Sequence, residues 1–468
     1  MKYVSTRGLA PALGFSDVLL AGLARDGGLY VPEAYPRLSP DEIAALAGLP
    51  YAEAAFRLIR PFAGGEIADA ALAAMCAEAY GAFGHPAVAP IVQTAPNAFI
   101  LELFHGPTLA FKDVAMQLLG RLMDHVLTAR GRRATIVGAT SGDTGGAAIE
   151  AFRGRAATDI VILFPKGRVS PVQQRQMTTA TEANVHAVAV EGTFDDCQAI
   201  VKALFNDHGF RDRVALSGVN SINWARIVAQ VVYYFTAAVA LGAPHRPVSF
   251  TVPTGNFGDI FAGWVAKRMG LPIDRLVIAT NANDILARTL ATGRYETAGV
   301  VPTSSPSMDI QVSSNFERLL FEASGRDADA VRGAMASLSQ SGAFGVPAAA
   351  LAAMRADFAA GRADETETAA TMRGLLDAAG YLADPHTAVA LAVASRSADP
   401  AVPMVTLATA HPAKFPAAVR AATGIEPALP ARLATLMSGE ERFAVLANDA
   451  AAVARFVEDN ARARLEGV

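Results

Sequence analysis

Lys112 lies in FHGPTLAFKD (104–113), just before a run in which Val114, Leu118, Leu122 and Val126 recur at the spacing of one helix face. The lysine therefore falls at a helix start, where the dipole disfavours a cation by roughly tenths of a kcal/mol. Apolar neighbours and a turn set by Gly106 and Pro107 add to that bias toward a neutral amine, the form a Schiff-base nucleophile needs. A solvated surface lysine is the competing reading.

Four more loops carry residue types suited to anions. In GATSGDTGGAAIEAF (138–152), Ser141, Asp143 and Thr144 are natural helix N-caps, and Gly142 with two further glycines leaves backbone N–H groups approachable. The spacing is not that of a dinucleotide fingerprint, and a capped turn without ligand is the alternative. In VPTGNFGDIFAGW (252–264), Gly255 and Gly258 bracket Asn256 and Phe257, with Asp259 next, a nest for a phosphate or a plain tight turn. In VNSINWARIVAQVVYYF (219–235), Asn220, Ser221, Asn223 and Arg226 crowd the first turn of a helix whose apolar face is Ile227, Val231 and Phe235. That cluster reads either as an oxyanion clamp or as caps beside an exposed arginine. Last, LATAHPAKF (407–415) puts Thr409 at the carboxyl end of a strand and His411 just after it, a histidine more simply read as structural.

Loops of this kind need a scaffold that brings their tips together. From about Phe99, short β-branched runs alternate with helical stretches: ATIVGA (134–139), DIVILFP (159–165), VHAVAV (185–190), SFTVP (249–253), RLVIAT (275–280) and MVTLAT (404–409). Strand, loop and helix in repeated order predict an α/β fold, a mostly parallel sheet with helices on both faces and ligands outside the strands' carboxyl ends. Residues up to about 95 read as helices and turns, 324–380 as an alanine-rich helical insertion without a strand, and the tail after about Leu429 as surface helices.

Composition bounds the rest. The chain has 468 residues, 52% apolar and 18% charged, enough for two or three cored domains. A net charge of −4 without a basic block argues against nucleic acid as partner. Cys76 and Cys197 are too few and too far apart for a disulfide scaffold or a cysteine zinc site, so no metal is expected. The apolar stretch Val228 to Ala243 is interrupted by Gln230 and two tyrosines, so no membrane span is expected. With no signal-peptide pattern at the N-terminus, a cytoplasmic protein is expected.

Taken in order, YVSTRG (3–8), ARDGGLYVPE (24–33), FHGPTLAFKD, SGDTGG (141–146), SINWARI (221–227), TGNFGD (254–259) and TAHPAKF (409–415) resemble the motifs of threonine synthases of the bacterial and fungal branch. The resemblance covers nearly the whole chain and is weakest in 324–380 and after about 430. It implies a fold-type II enzyme with two parallel-sheet α/β domains of the tryptophan synthase β-like kind and an N-terminal helical domain. The implied divisions are 1–95, a core of 96–430 with roughly 112–240 as its smaller part, and a helical extension over 431–468. The implied cofactor is pyridoxal 5'-phosphate. The implied activity is the conversion of O-phosphohomoserine and water to threonine and phosphate, the last step of threonine biosynthesis. By the same resemblance, Lys112 matches the Schiff-base lysine, and Asp143 stands where many relatives have an asparagine near the cofactor's ring oxygen. Gly255, Asn256, Phe257, Gly258 and Asp259 match the loop that holds the cofactor phosphate, and Thr409 the hydroxyl residue facing the pyridine nitrogen. Ser141, Gly142 and Thr144 match the loop that takes the substrate carboxylate; Asn220, Ser221, Asn223 and Arg226 match residues that hold the substrate phosphate. The rivals are a dehydratase or phospholyase of the same fold, and a non-catalytic binding protein. The SINWAR cluster disfavours simple dehydratases, whose substrates carry no phosphate.

Overall fold

A computed structural model describes residues 1–140 and 142–463. Two sheets, one wholly and one mostly parallel, form its frame. The larger has six strands in the order Phe358–Arg362, Ile273–Thr280, Val248–Pro253, Met404–Ala408, Ala98–Glu102 and Ile91–Ala95. Every neighbouring pair is parallel except the last. The smaller, all parallel, has five: Ala444–Ala447, Val185–Glu191, Thr158–Pro165, Ala134–Ala139 and Leu216–Ser217. All eight residues of Thr158–Pro165 are buried, as expected for a central strand covered on both faces.

Two long helices join the sheets. Lys112–Ala129 and Trp224–Ala240 pack against each other, and most of their buried apolar residues belong to one continuous core with strands of both sheets. Each fully buried Leu, Val or Ile in that core is worth roughly 1.5–3 kcal/mol, so the two sheets are coupled through these helices rather than through a linker.

The N-terminal region pairs Tyr3–Ser5 antiparallel with Tyr30–Pro32 and adds the helices Tyr51–Ala63 and Asp69–Gly81. It is bonded to the core: the Thr6 hydroxyl donates to Glu317 at 2.7 Å, Arg7 pairs with the same carboxylate at 3.0 Å, and Arg318 Nε donates to the Tyr30 carbonyl at 3.0 Å. Among the described residues no helix is long and apolar enough to cross a membrane.

Three expectations are corrected. Residues 324–380 are not wholly helical. Ala343–Gly345 pairs antiparallel with Arg294–Glu296, and Phe358–Arg362 forms the edge strand beside Ile273–Thr280. That segment, FAAGR, has no β-branched residue, so only the waiting edge of Ile273–Thr280 makes it a strand. The C-terminal segment is not only surface helix: Ala444–Ala447 extends the smaller sheet, and Val453 and Val457 of the helix Ala450–Asn460 are buried in that sheet's core. Residues 464–468 of that extension lie outside the described residues. Finally, Ile91–Ala95, placed by sequence in the N-terminal domain, is a strand of the larger sheet.

Candidate active site

The loops singled out by sequence meet at the carboxyl ends of the strands between the two sheets. The Lys112 loop is fastened to the strand end at Thr409: the Phe111 amide donates to the Thr409 carbonyl at 2.8 Å, the His411 amide to the Leu109 carbonyl at 3.0 Å, and Ala110 and Ala410 form an antiparallel bridge. Inside the loop, Asp113 accepts from the Thr108 amide at 2.7 Å and its hydroxyl at 2.6 Å. Gly106 is required there, because a Cβ would come within 2.4 Å of the Asp113 Cβ. Burial, opposed by those bonds from Thr108, raises the Asp113 carboxyl to about 6.

Lys112 is the first residue of its helix and is only 9% exposed, so the solvated-lysine reading fails. Burial lowers its ammonium below the ordinary value; nearby Lys414 and Arg226 push the same way, and Asp143 pushes back. The Nζ lies 3.6 Å from Asp143 Oδ2 and 4.9 Å from the Phe111 ring centre.

Asp143 is buried among donors. Its Oδ1 is 2.7 Å from Lys414 Nζ and accepts from Gln173 Nε2 at 2.9 Å, while Ser307 Oγ donates to Oδ2 at 3.4 Å. Burial would raise this carboxyl, but Lys414 and Lys112 outweigh burial and hold it far below the usual carboxylate range. The two lysines therefore favour the carboxylate form of Asp143.

The loop carrying it is built differently from the sequence expectation. The helix Asp143–Phe152 is capped by Gly142 with no side-chain bond, rather than by Asp143 or Thr144. Its hydroxyl comes from Thr140, which accepts from the Gly142 and Gly145 amides, each at 2.9 Å. Gly142 has φ 148° and ψ −84°, and a Cβ there would meet the Gln173 side chain at 2.4 Å. Only glycine fits. Thr144 is half-buried in the first turn. Ser141 lies outside the described residues.

The Gly255 loop is tightly enclosed on one side. A Cβ on Gly255 would stand 2.8 Å from the Ser307 carbonyl oxygen, and the Gly255 carbonyl accepts from Ser313 Oγ at 2.7 Å. Asn256 is exposed, its carbonyl bonded to the Asn315 amide at 3.0 Å, and Phe257 is buried with φ 63°. Gly258 opens the helix Gly258–Arg268, whose first-turn amides lie outside the helical ladder and face the loop. Asp259 points away from it. Its Oδ1 accepts from the Tyr233 hydroxyl and from Tyr234 at 3.0 Å, and burial raises its carboxyl to about 6. The Asp259 side chain thus anchors the helix start, while its amide belongs to the first turn that faces the loop.

The SINWAR cluster divides. Asn223 is the N-cap of Trp224–Ala240: its Oδ1 accepts from the Ala225 amide at 3.0 Å, and its Nδ2 donates to the Leu19 carbonyl at 2.9 Å. Both ends of its amide are engaged and it is 1% exposed, so it holds helix and N-terminal region together. Asn223→Ala should therefore cost about 1–3 kcal/mol of stability, read as a lower denaturant midpoint, with KM nearly unchanged. Asn220 is exposed and Ser221 half-buried at the helix entrance. Arg226 is not the exposed arginine of the competing reading but is 3% exposed. It donates to the Val219 carbonyl at 3.1 Å, its Nε has no partner among the described residues, and burial lowers it to about 10. A desolvated guanidinium left this incomplete suits an anionic ligand.

Sequence reasoning missed several members. Lys414 is fully buried at the centre of the site. Ser307 joins the Gly255 loop to Asp143, and its amide donates to His386 Nε2 at 3.3 Å, with His386 Nδ1 2.7 Å from Asp384. The Thr108–Asp113 spacing inside a Gly-Pro turn was a readable local signal. Lys414 and Ser307 had none, because their partners lie far off in sequence. His411 is structural: its Nδ1 accepts from the Ala413 amide at 3.1 Å, and burial lowers it to about 4.

This geometry has close counterparts. Residues 2–80 match the family described as threonine synthase N terminus, residues 89–364 that of pyridoxal-phosphate dependent enzymes, and residues 387–457 that of the threonine synthase C-terminal region. A threonine synthase from Pseudomonas aeruginosa is 55% identical over 462 residues, 98% of each chain. One from Saccharomyces cerevisiae is 42% identical, covering 89% of this chain and 88% of the other. The crystal structure of a pyridoxal-phosphate-bound threonine synthase from Brucella melitensis is 65% identical, with a TM-score of 0.98 over 99% of this chain and 100% of that one.

Proposed function

The chain belongs to the threonine synthase family, whose members depend on pyridoxal phosphate, and we propose that Lys112, Asp143 and Arg226 carry its conversion of O-phosphohomoserine and water to L-threonine and phosphate. A biosynthetic reaction on a small phosphorylated amino acid supports a cytoplasmic location. The residues present fit the cofactor. Lys112 is a buried amine of lowered basicity, and the Gly255 turn leaves a space that a Cβ would close against Ser307. The helix start at Gly258 offers amides to a phosphate, and Thr409 stands at the end of Met404–Ala408 opposite the Lys112 loop.

Phosphate leaves from Cγ, so protons must first leave both Cα and Cβ. Bound pyridoxal phosphate supplies the electron sink for those departures. Lys112 takes the protons, since burial shifts its nitrogen toward the neutral amine. Arg226 receives the phosphate as the Cγ–O bond breaks and that bond's electron pair departs with the leaving group. Cγ then gains a proton, Cβ takes the hydroxyl of water, and Cα regains its proton. Asp143, fixed as a carboxylate, presents an acceptor where an asparagine would also present a donor.

The observation that carries this reading is Arg226, a buried guanidinium whose Nε has no partner among the described residues. Incubation with O-phosphohomoserine tests it: threonine and phosphate should appear together. Release of 2-oxobutanoate with phosphate would indicate a phospholyase instead.

The cofactor loop makes a separate prediction. Gly255→Val should weaken retention of pyridoxal phosphate, read as visible absorbance lost on desalting. The clash is with the backbone oxygen of Ser307, 2.8 Å from the new Cβ, which cannot rotate aside. Wild-type retention would move the phosphate site elsewhere.

A further inference from the structure

Lys414 has no part in that reaction, yet it is more enclosed than Lys112, with 0% exposure against 9%. It arrives on the turn Pro412–Lys414 beyond the strand Met404–Ala408. Its Nζ donates to the Thr108 carbonyl at 2.8 Å and lies 2.7 Å from Asp143 Oδ1. One ammonium thus fastens three loops: its own, the Lys112 loop at Thr108, and the loop of Asp143. Lys112 reaches the other oxygen of the same carboxylate at the longer distance of 3.6 Å. Two lysines share one anion, and they share it unequally.

A lysine that must act as an amine is hindered by a carboxylate of its own, because an ion pair inside the protein stabilises the ammonium form. We propose that Lys414 is a positioning residue that takes Asp143 as its ion-pair partner and so leaves Lys112 free to work as an amine. The inference rests on Lys112 being the attachment point of the cofactor.

The charged groups facing Lys112 are Asp143, Lys414, Arg226 and Asp259, and those facing Lys414 include Asp113. Removing Lys414 takes away a like charge and hands Asp143 to Lys112. Both changes hold a proton on the Lys112 nitrogen more tightly, so its titration must move to higher pH. A role confined to packing the loops gives no such directed shift.

The test compares wild type with Lys414→Met, Lys414→Gln and Lys414→Arg as holoenzymes, each checked for folding by circular dichroism. Two readouts are followed against pH: the visible absorption band and the acid limb of kcat. In the Met and Gln variants the titration should rise by about one pH unit or more. The Arg variant, which keeps the charge, should return most of the way. The Gln variant carries the test if the Met variant does not fold, since its amide can still donate to Thr108 without a charge. A wild-type titration in the neutral variants, or an Arg variant displaced as far as they are, overturns the proposal. Borohydride labelling separates the role of Lys414 from the attachment of the cofactor. A pyridoxyl group on Lys112 in every variant upholds the attachment point, and a label elsewhere overturns that premise itself.

Discussion

Lys112→Ala should reduce threonine formation by at least about 10³-fold, the upper part of the range for loss of a positioned general base. The side chain is asked to do two things, to bind the cofactor covalently and to move protons at Cα and Cβ, and alanine does neither. Its loss leaves Asp143, Lys414 and Arg226 in place, with the helix of residue 112 held by its own apolar face. The variant should therefore fold, and noncovalent cofactor binding through the Gly255 loop should survive. Borohydride reduction of the wild-type holoenzyme followed by peptide mapping should place the pyridoxyl group on Lys112. A label on Lys414 would exchange the roles of the two lysines, and a label on Lys267 would remove the site from this crevice.

The second large effect is at Arg226. Losing a charge-assisted contact to a phosphate costs about 1.5–3 kcal/mol, and this guanidinium is buried, where the contact is least screened. Arg226→Ala should lower kcat/KM for O-phosphohomoserine by about 10²-fold. Arg226→Lys should recover only part of that, because an ammonium cannot present the planar fork. Binding of threonine, which carries no phosphate, should be nearly unchanged when followed through the visible spectrum. Equal loss with both ligands would make Arg226 structural, a tie between its helix and the Val219 carbonyl. No loss with either would leave the phosphate site to be sought around Asn220 and Ser221.

The two variants separate what local sequence encodes from what it does not. Lys112 was legible because everything that marks it is near it in the chain: the Gly106-Pro107 turn, the apolar face that begins two residues later, and the helix start. Its burial was not legible, since the lid over it comes from residues some 30 and 300 positions away, at Asp143 and Lys414. Asn223 shows the opposite case. An asparagine at a helix start looks the same in sequence whether it faces a ligand or caps the helix, and only the Leu19 carbonyl on the other side of its amide decides. The partners of the Asp259 side chain were hidden for a similar reason. Its neighbours suggest a cradle, while its partners Tyr233 and Tyr234 stand on a different helix.

By itself the sequence determined the alternation of strands and helices, the glycine turns at the strand ends and the set of loops that carry chemistry. Those features follow from side-chain periodicity and from the φ, ψ angles that glycine and proline allow, which are properties of a few adjacent residues. Only the tertiary structure decided that FAAGR is a strand, that Ala444–Ala447 completes the smaller sheet, and that Asp143 is an anion shared by two lysines. Each of these depends on a partner distant in the chain: an open strand edge needing hydrogen bonds, or a charge that burial would neutralise if no opposite charge were folded against it.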